Sequence, residues 1–253
     1  MRVSVLGAGC IGGSLALKLR KDFELRVFDV DEDVRSSLKS EGIVVVDHPE
    51  DLYDSDLLVL AVPMSEEERF LKETSFSGLM MDVASVKTPF VRIARERGLK
   101  LVGGHPMAGN EKKGKAGWDP NMFEGRPFFL CGLDGRRVEI AEEVVRKTGA
   151  VPVWLDPEEH DEIVAAVSHV QYLLSLAGKF VGKAYEDFAG PGYKSTTRLA
   201  HQNVQMALDM MRYNRDNVLK NLKAVLSFLK EVEGTIAGGD MERLEKLIRE
   251  VIT

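Results

Sequence analysis

Cysteine is scarce: Cys10 and Cys131 are the two in 253 residues. Two thiols so far apart make neither a disulfide framework nor a metal knuckle. The five histidines show no H-E-x-x-H spacing, so no metal site is expected. No unbroken apolar run approaches the ~20 residues that cross a bilayer. The N-terminus lacks the charged and then apolar architecture of a signal peptide. Net charge is −6 with no basic block, which argues against nucleic acid. These absences point to a cytoplasmic chain with no membrane and no nucleic-acid partner. What is present, 44% hydrophobic and 29% charged residues, suits one or two globular domains with a proper core.

The first thirty residues organise the rest. An apolar run, Val3 to Leu6, reads as a buried strand. Gly7-Ala8-Gly9-Cys10-Ile11-Gly12 follows and fits G-x-G-x-x-G, then an amphipathic helix, then a strand from Leu25 to Phe28 ending in Asp29. In that context Gly7 permits a tight turn, Gly9 lets backbone approach a pyrophosphate, and Gly12 lets helix and strand pack. Cys10 and Ile11 occupy the variable positions of the same loop, Cys10 as a small filler rather than a reactive thiol. The helix N-terminus offers amide groups and a positive dipole end to phosphates. Asp29, 22 residues after Gly7, is placed to bind an adenine ribose and to repel a 2′-phosphate, so NAD is favoured over NADP. Arg35 is the nearest downstream cation.

Strand and helix patterns alternate to about residue 155. Further strands are expected at Ile43–Val46, Leu57–Val62, Leu79–Val83, Leu99–Val102, Pro127–Leu133 and Val151–Leu155, with a mobile loop at 110–125. Ser65 reads as a helix cap with Glu66, Glu67 and Glu68 in the first turn. After Asp156-Pro157 only helices are expected, at about 158–188, 196–213, 215–237 and 240–252. The predicted fold is therefore α/β: a Rossmann-type doubly wound sheet domain (1–156) followed by an all-helical domain (157–253). The long 158–188 helix is apolar on successive faces and should be buried. A helical domain this small is expected to complete its core as a homodimer.

Ligands in open α/β sheets sit at the carboxyl ends of the strands. Ser85 and His105 both follow predicted strands there. His105 has the pKa range of a general base, and Ser85 could orient it. On pattern alone each serves chemistry or a turn with equal weight. Arg198 could hold a carboxylate in a bidentate fork or sit on the surface. Glu111 is either a site residue or part of a solvated loop. His169, among apolar neighbours, reads as a buried, satisfied histidine. His160, after Glu158-Glu159, reads as solvent-exposed.

Taken together, the glycine loop, Asp82-Val83-Ala84-Ser85-Val86-Lys87, Gly104-His105-Pro106-Met107-Ala108-Gly109-Asn110-Glu111, His160-Asp161 with Ser168-His169, and Gly192-Tyr193-Lys194-Ser195-Thr196-Thr197-Arg198 resemble the prephenate dehydrogenase family of tyrosine biosynthesis over nearly the whole chain. The resemblance implies an oxidoreductase: NAD-dependent oxidative decarboxylation of prephenate to 4-hydroxyphenylpyruvate. It makes His105 the catalytic base and Ser85 its hydrogen-bonding partner near the nicotinamide. It places Arg198 on a substrate carboxylate, Glu111 at the entrance and His169 in the substrate site. The family often reads S-H-L-P-H where this chain has Ser168-His169-Val170-Gln171-Tyr172, so Tyr172 stands where a second substrate-facing histidine is expected. Asn203-Val204 and Ala207 also depart from the family's Asp-Pro pair and Trp. These changes leave arogenate, or another cyclic or β-hydroxy acid, as the competing substrate. A non-catalytic NAD sensor is the competing class. With Thr253 the last residue of the sequence, a regulatory domain of the kind some members carry is not expected.

Overall fold

The computed structural model describes residues 1–110, 112 and 114–252. Short apolar runs become strands buried on both faces because helices cover both sides of a parallel sheet. The first half winds β1 (Arg2–Leu6), α1 (Cys10–Leu19), β2 (Glu24–Phe28), α2 (Glu32–Ser40) and β3 (Val44–Val45) to one side. The chain then crosses to β4 (Leu57–Leu60), α3 (Met64–Glu73), β5 (Leu79–Asp82), α4 (Thr88–Glu96) and β6 (Lys100–Pro106). β7 (Pro127–Cys131), α5 (Glu139–Lys147) and β8 (Val151–Trp154) complete the sheet. Among the described residues the sheet order is β3-β2-β1-β4-β5-β6-β7-β8. Every pairing is parallel except β6 with β7, where His105 lies opposite Phe129. The first six strands have the 3-2-1-4-5-6 order, whose direction reverses between β1 and β4 and opens a crevice at their carboxyl ends.

α3 departs from its expected start. Its cap is Pro63, with no side-chain hydrogen bond, so Ser65 lies inside the helix instead of capping it.

The helical region starts at Pro157 with α6 (Pro157–Val164). The single helix expected over 158–188 is instead broken. A π turn spans Ala165–His169, then α7 runs Val170–Gly182 and a 3₁₀ segment Lys183–Phe188. Helices α8 (Pro191–Thr196), α9 (Val204–Tyr213), α10 (Arg215–Ala237) and α11 (Met241–Ile252) follow. The stretch 157–188 is long and apolar enough on average to cross a bilayer. Here it is broken, and it carries the buried His160, Asp161 and His169. Its first half is buried on one side only, through Val164, Ala165, Val170 and Tyr172, while Val167 is 57% exposed. Its second half departs from the expected burial: Phe180 is 86% exposed and Phe188 89%.

Tyr172, Ala207 and Met210 pack into one cluster with Ala84, Val86 and Phe90 of the sheet region. This seats α7 and α9 beside the carboxyl ends of β5 and β6, where the site lies.

Candidate active site

The glycine loop has the shape that a dinucleotide needs. Gly7 has φ +91°, the left-handed region that favours glycine, and a Cβ there would strike the Ala61 carbonyl. A Cβ at Gly12 would strike the Gly7 carbonyl and the Ala61 side chain. A Cβ at Gly9 would meet nothing within 4 Å, so the close approach reserved there is open to a ligand. No side chain caps α1 and no acidic residue stands in its first turn, which suits an anion at that end. Asp29 is held toward the loop: Ala8 N–H donates to Oδ2 at 2.6 Å and Asp31 N–H to Oδ1 at 2.8 Å. Arg35 does not neutralise it. That guanidinium donates to the Asp29 carbonyl, pairs with Glu32 and lies over the Phe28 ring.

Residues expected to form a mobile loop are tied to this cradle. Trp118 Nε1 donates to the carbonyls of Ala8 and Gly9 at 3.0 and 3.1 Å. Asp119 N–H donates to Ser14 Oγ, and the Cys10 thiol to the Gly117 carbonyl. Burial raises the Cys10 thiol pKa, which makes it a poor nucleophile. The polar residues of the cradle thus fit a dinucleotide whose adenosine end reaches Asp29.

His105 stands near the end of β6 and keeps 8% of its surface exposed. Its Nδ1 lies 2.9 Å from His160 Nε2, and His160 Nδ1 lies 2.8 Å from Asp161 Oδ1. The Asp161 carboxylate also accepts from the main-chain N–H of Lys87 at 2.7 Å and of Thr88 at 2.9 Å. It therefore serves as the cap of α4, whose own Lys87 N-cap makes no capping bond with its side chain. His160, expected in solvent, is fully buried. The local pattern E-E-H-D-E suggests a charged helix start. Its distant partners are His105 of β6 and the ring of Phe129 on β7, 55 and 31 residues away.

This chain sets a tautomer. Burial tends to raise the Asp161 carboxyl, but hydrogen bonds from His160, Thr88 and the Lys87 main chain outweigh it and hold the group below the usual range. An ionised carboxylate only accepts. His160 must then donate from Nδ1 and accept at Nε2, and His105 must donate from Nδ1. The lone pair of His105 is left on Nε2, which takes no hydrogen bond among the described residues. Burial first, then the charges of His160 and Lys87, keep the His105 imidazole well below its ordinary 6.5. It is neutral, with one free acceptor.

Beneath it, Gly103 and Gly104 admit a buried ion pair. A Cβ on Gly103 would meet the Lys87 stem, and one on Gly104 would strike the Asp82 carbonyl. Lys87 Nζ pairs with Asp82 and donates to the Gly104 carbonyl at 2.6 Å, while Gly104 N–H donates to Asp82 Oδ1 at 2.6 Å.

His169 is buried in the π turn, where Asn214 Nδ2 lies 3.3 Å from its Nδ1 and donates to the Asp161 carbonyl at 2.7 Å. Its Nε2 makes no well-formed hydrogen bond among the described residues, although the Ser85 main chain lies against the ring, so the reading of a satisfied core histidine holds in part. Burial pushes its pKa down to about 4. Nine residues along an ideal helix would put His160 and His169 half a turn apart; the wider π turn brings both to the Asp161 side. The Ser85 hydroxyl approaches Met64 Sδ at 3.9 Å rather than His105, and only its main chain lies against His169. Arg198 is exposed on a turn (198–201) that Ser175 Oγ holds to α7 through Ala200 N–H. The Tyr172 ring is buried in the cluster under α7. Glu111 lies outside the described residues.

An open cradle for a dinucleotide beside a buried neutral imidazole defines a two-part dehydrogenase of the Rossmann class. Its family follows from sequence: the model of the prephenate dehydrogenase nucleotide-binding domain matches residues 15–154 and that of the dimerization domain residues 156–250. The chain belongs to the prephenate dehydrogenase family. It is 27% identical to a prephenate dehydrogenase of Lactococcus lactis over 98% of this chain and 75% of that protein. A prephenate dehydrogenase of Bacillus subtilis is 26% identical over 96% of this chain and 72% of its own. The structure of prephenate dehydrogenase from A. aeolicus, in complex with hydroxyphenyl propionate and NAD+, superposes with TM-score 0.86 at 25% identity, covering 99% of this chain and 96% of that one.

Proposed function

We propose that the chain oxidises and decarboxylates prephenate to 4-hydroxyphenylpyruvate with NAD, as a homodimer, with residues 1–156 binding nucleotide and 157–253 binding substrate and the second copy. The observation that carries this is the His105–His160–Asp161 chain, which presents one neutral acceptor nitrogen beside a dinucleotide cradle. The match to the family's dimerization domain supports the dimer, and NAD+ in the A. aeolicus structure supports the cofactor.

In this reading His105 Nε2 takes the proton of the ring hydroxyl. A bound nicotinamide supplies the acceptor for the hydride leaving that carbon. As the carbonyl forms, the ring carboxylate departs as CO₂, its bonding pair enters the ring, and the oxygen recovers its proton from His105. Asp161 never takes a proton; it fixes the tautomer, as the buried aspartate does in a serine-protease triad. Ser85, whose hydroxyl has only a weak sulfur contact, turns toward the substrate hydroxyl. Arg198 holds a substrate carboxylate, His169 and Tyr172 line the substrate side, and Glu111 stands at the entrance. Gly7, Gly9, Cys10, Ile11, Gly12 and Asp29 form the nucleotide site.

The test is reduced-nicotinamide absorbance with NAD and prephenate, repeated with arogenate. Turnover of prephenate is expected. Turnover of arogenate alone would make Tyr172 the cause of a substrate switch. Silence with both, despite NAD binding, would overturn the reading in favour of a nucleotide sensor.

A further inference from the structure

Glu67 stands in the first turn of α3, where an acid ordinarily faces water and the helix dipole. Here it is fully buried, and neither carboxyl oxygen has a partner among the described residues. One oxygen of a neighbouring buried carboxylate, Asp82 Oδ2, is unpartnered as well. Three orphan oxygens in one buried place are costly as acceptors alone. A single proton between the two side chains removes two of them. The other Asp82 oxygen is engaged by Lys87 Nζ and Gly104 N–H, which leaves Glu67 as the side that carries the proton.

We propose that Glu67 is a positioning residue: a neutral carboxylic acid that donates to Asp82 Oδ2 and so holds Asp82 and Lys87 around the peptide of Gly104, immediately before His105. The backbone needs this help. The ladder between β5 and β6 ends at Met81 opposite Val102. Beyond it the β5 side of β6 is held by side chains, at both the N–H and the carbonyl of Gly104. A proton on Glu67 also leaves the cluster without the surplus negative charge that two carboxylates against one ammonium would carry beneath the base.

The charged neighbours agree with this. Asp82 and Lys87 face Glu67 from β5 and the link to α4. On α3 itself, Glu66 turns out to Arg69, and Glu68 to Lys72 and to Tyr213 of α9. Burial raises the Glu67 carboxyl well above the usual range, Asp82 raises it further, and Lys87 opposes.

The inference rests on His105 being the base only for its kinetic part. The decisive measurement is the infrared difference between the full-length protein and Glu67→Gln at neutral pH. A carboxylic-acid carbonyl stretch that shifts in D₂O and is lost in the variant is expected; its absence overturns the proposal whatever the activity. A second reading uses stability. An acid with a raised folded pKa costs stability as pH rises from its unfolded value, so the Tm advantage of Glu67→Gln should grow between about pH 5 and pH 8. A constant difference would overturn the proton assignment. In turnover, Glu67→Gln keeps a donor and should stay within about twofold, while Glu67→Leu, which leaves Asp82 Oδ2 unpaired, should lose about tenfold in kcat with little change in KM. Equal kcat in the two variants would remove the positioning role.

Discussion

The sheet region and the helical region bury apolar surface differently. The main cluster of the sheet region closes on itself: Val3, Val5, Leu15, Leu19, Val27, Leu57 and Val59 are all fully buried, with α1 and α5 packed over them. The helical region's separate cluster has only Ala165, Val170 and Val218 fully enclosed. α10 buries Val218 alone along 23 residues, and Leu226, Phe228 and Leu229 lie exposed on it. An apolar surface this extensive marks an interaction face. The contrast teaches that the nucleotide-binding half closes its core by itself. The helical half needs the sheet region on one side and, in our reading, a second copy on the other.

That contrast can be broken experimentally. The largest effect is expected from His105→Asn, which should lower turnover by about 10²–10⁴ while NAD affinity stays nearly unchanged. Near-normal turnover would remove His105 as the base. Next, Phe180→Asp with Phe188→Asp should convert the proposed dimer to monomers in sedimentation velocity, since covering each ring is worth about 1.5–3 kcal/mol. Nucleotide affinity should hold, and an intact dimer would place the interface elsewhere.

His160→Gln crosses the boundary between the regions: a helical-region substitution should cost the sheet-region base roughly 10–100-fold in kcat, less than losing the base itself. A milder effect concerns pH. Because burial depresses the His105 pKa, the neutral form persists as pH falls, and the acid limb of kcat/KM should lie well below 6.5. A limb at or above that value would mean a more solvated base. The smallest effect is expected from Arg35→Ala. Its ion pair with Glu32 is at the surface, so NAD affinity should move by no more than about twofold.

Much of the sheet half was legible because its signals are local. Gly7, Gly9 and Gly12, the acid at Asp29 and the buried runs each announce their own surroundings, and the observed strands fall within a few residues of those expected. The helical half was harder to read. Nothing around Val167 signals a π turn, and the contacts that accompany it, His160 with Asp161 and His169 with Asn214, involve side chains outside its local pattern. His160 looked solvated, and Glu67 looked like an ordinary first-turn acid, because their partners lie far away in sequence. Glu111 falls outside the described residues, so its expected place at the entrance stands as a proposal.

Asp161 has a mechanical consequence. Its carboxylate grips the start of α4 in the sheet half, and its carbonyl is gripped by Asn214 in the helical half. Any hinge that parts the two halves must first pull α4 off that carboxylate. The same movement would part His105 on β6 from His160, whose own bond to Asp161 stays within α6. Asp161 is in this sense a latch, fastened to the sheet half through its side chain and to the helical half through its main chain.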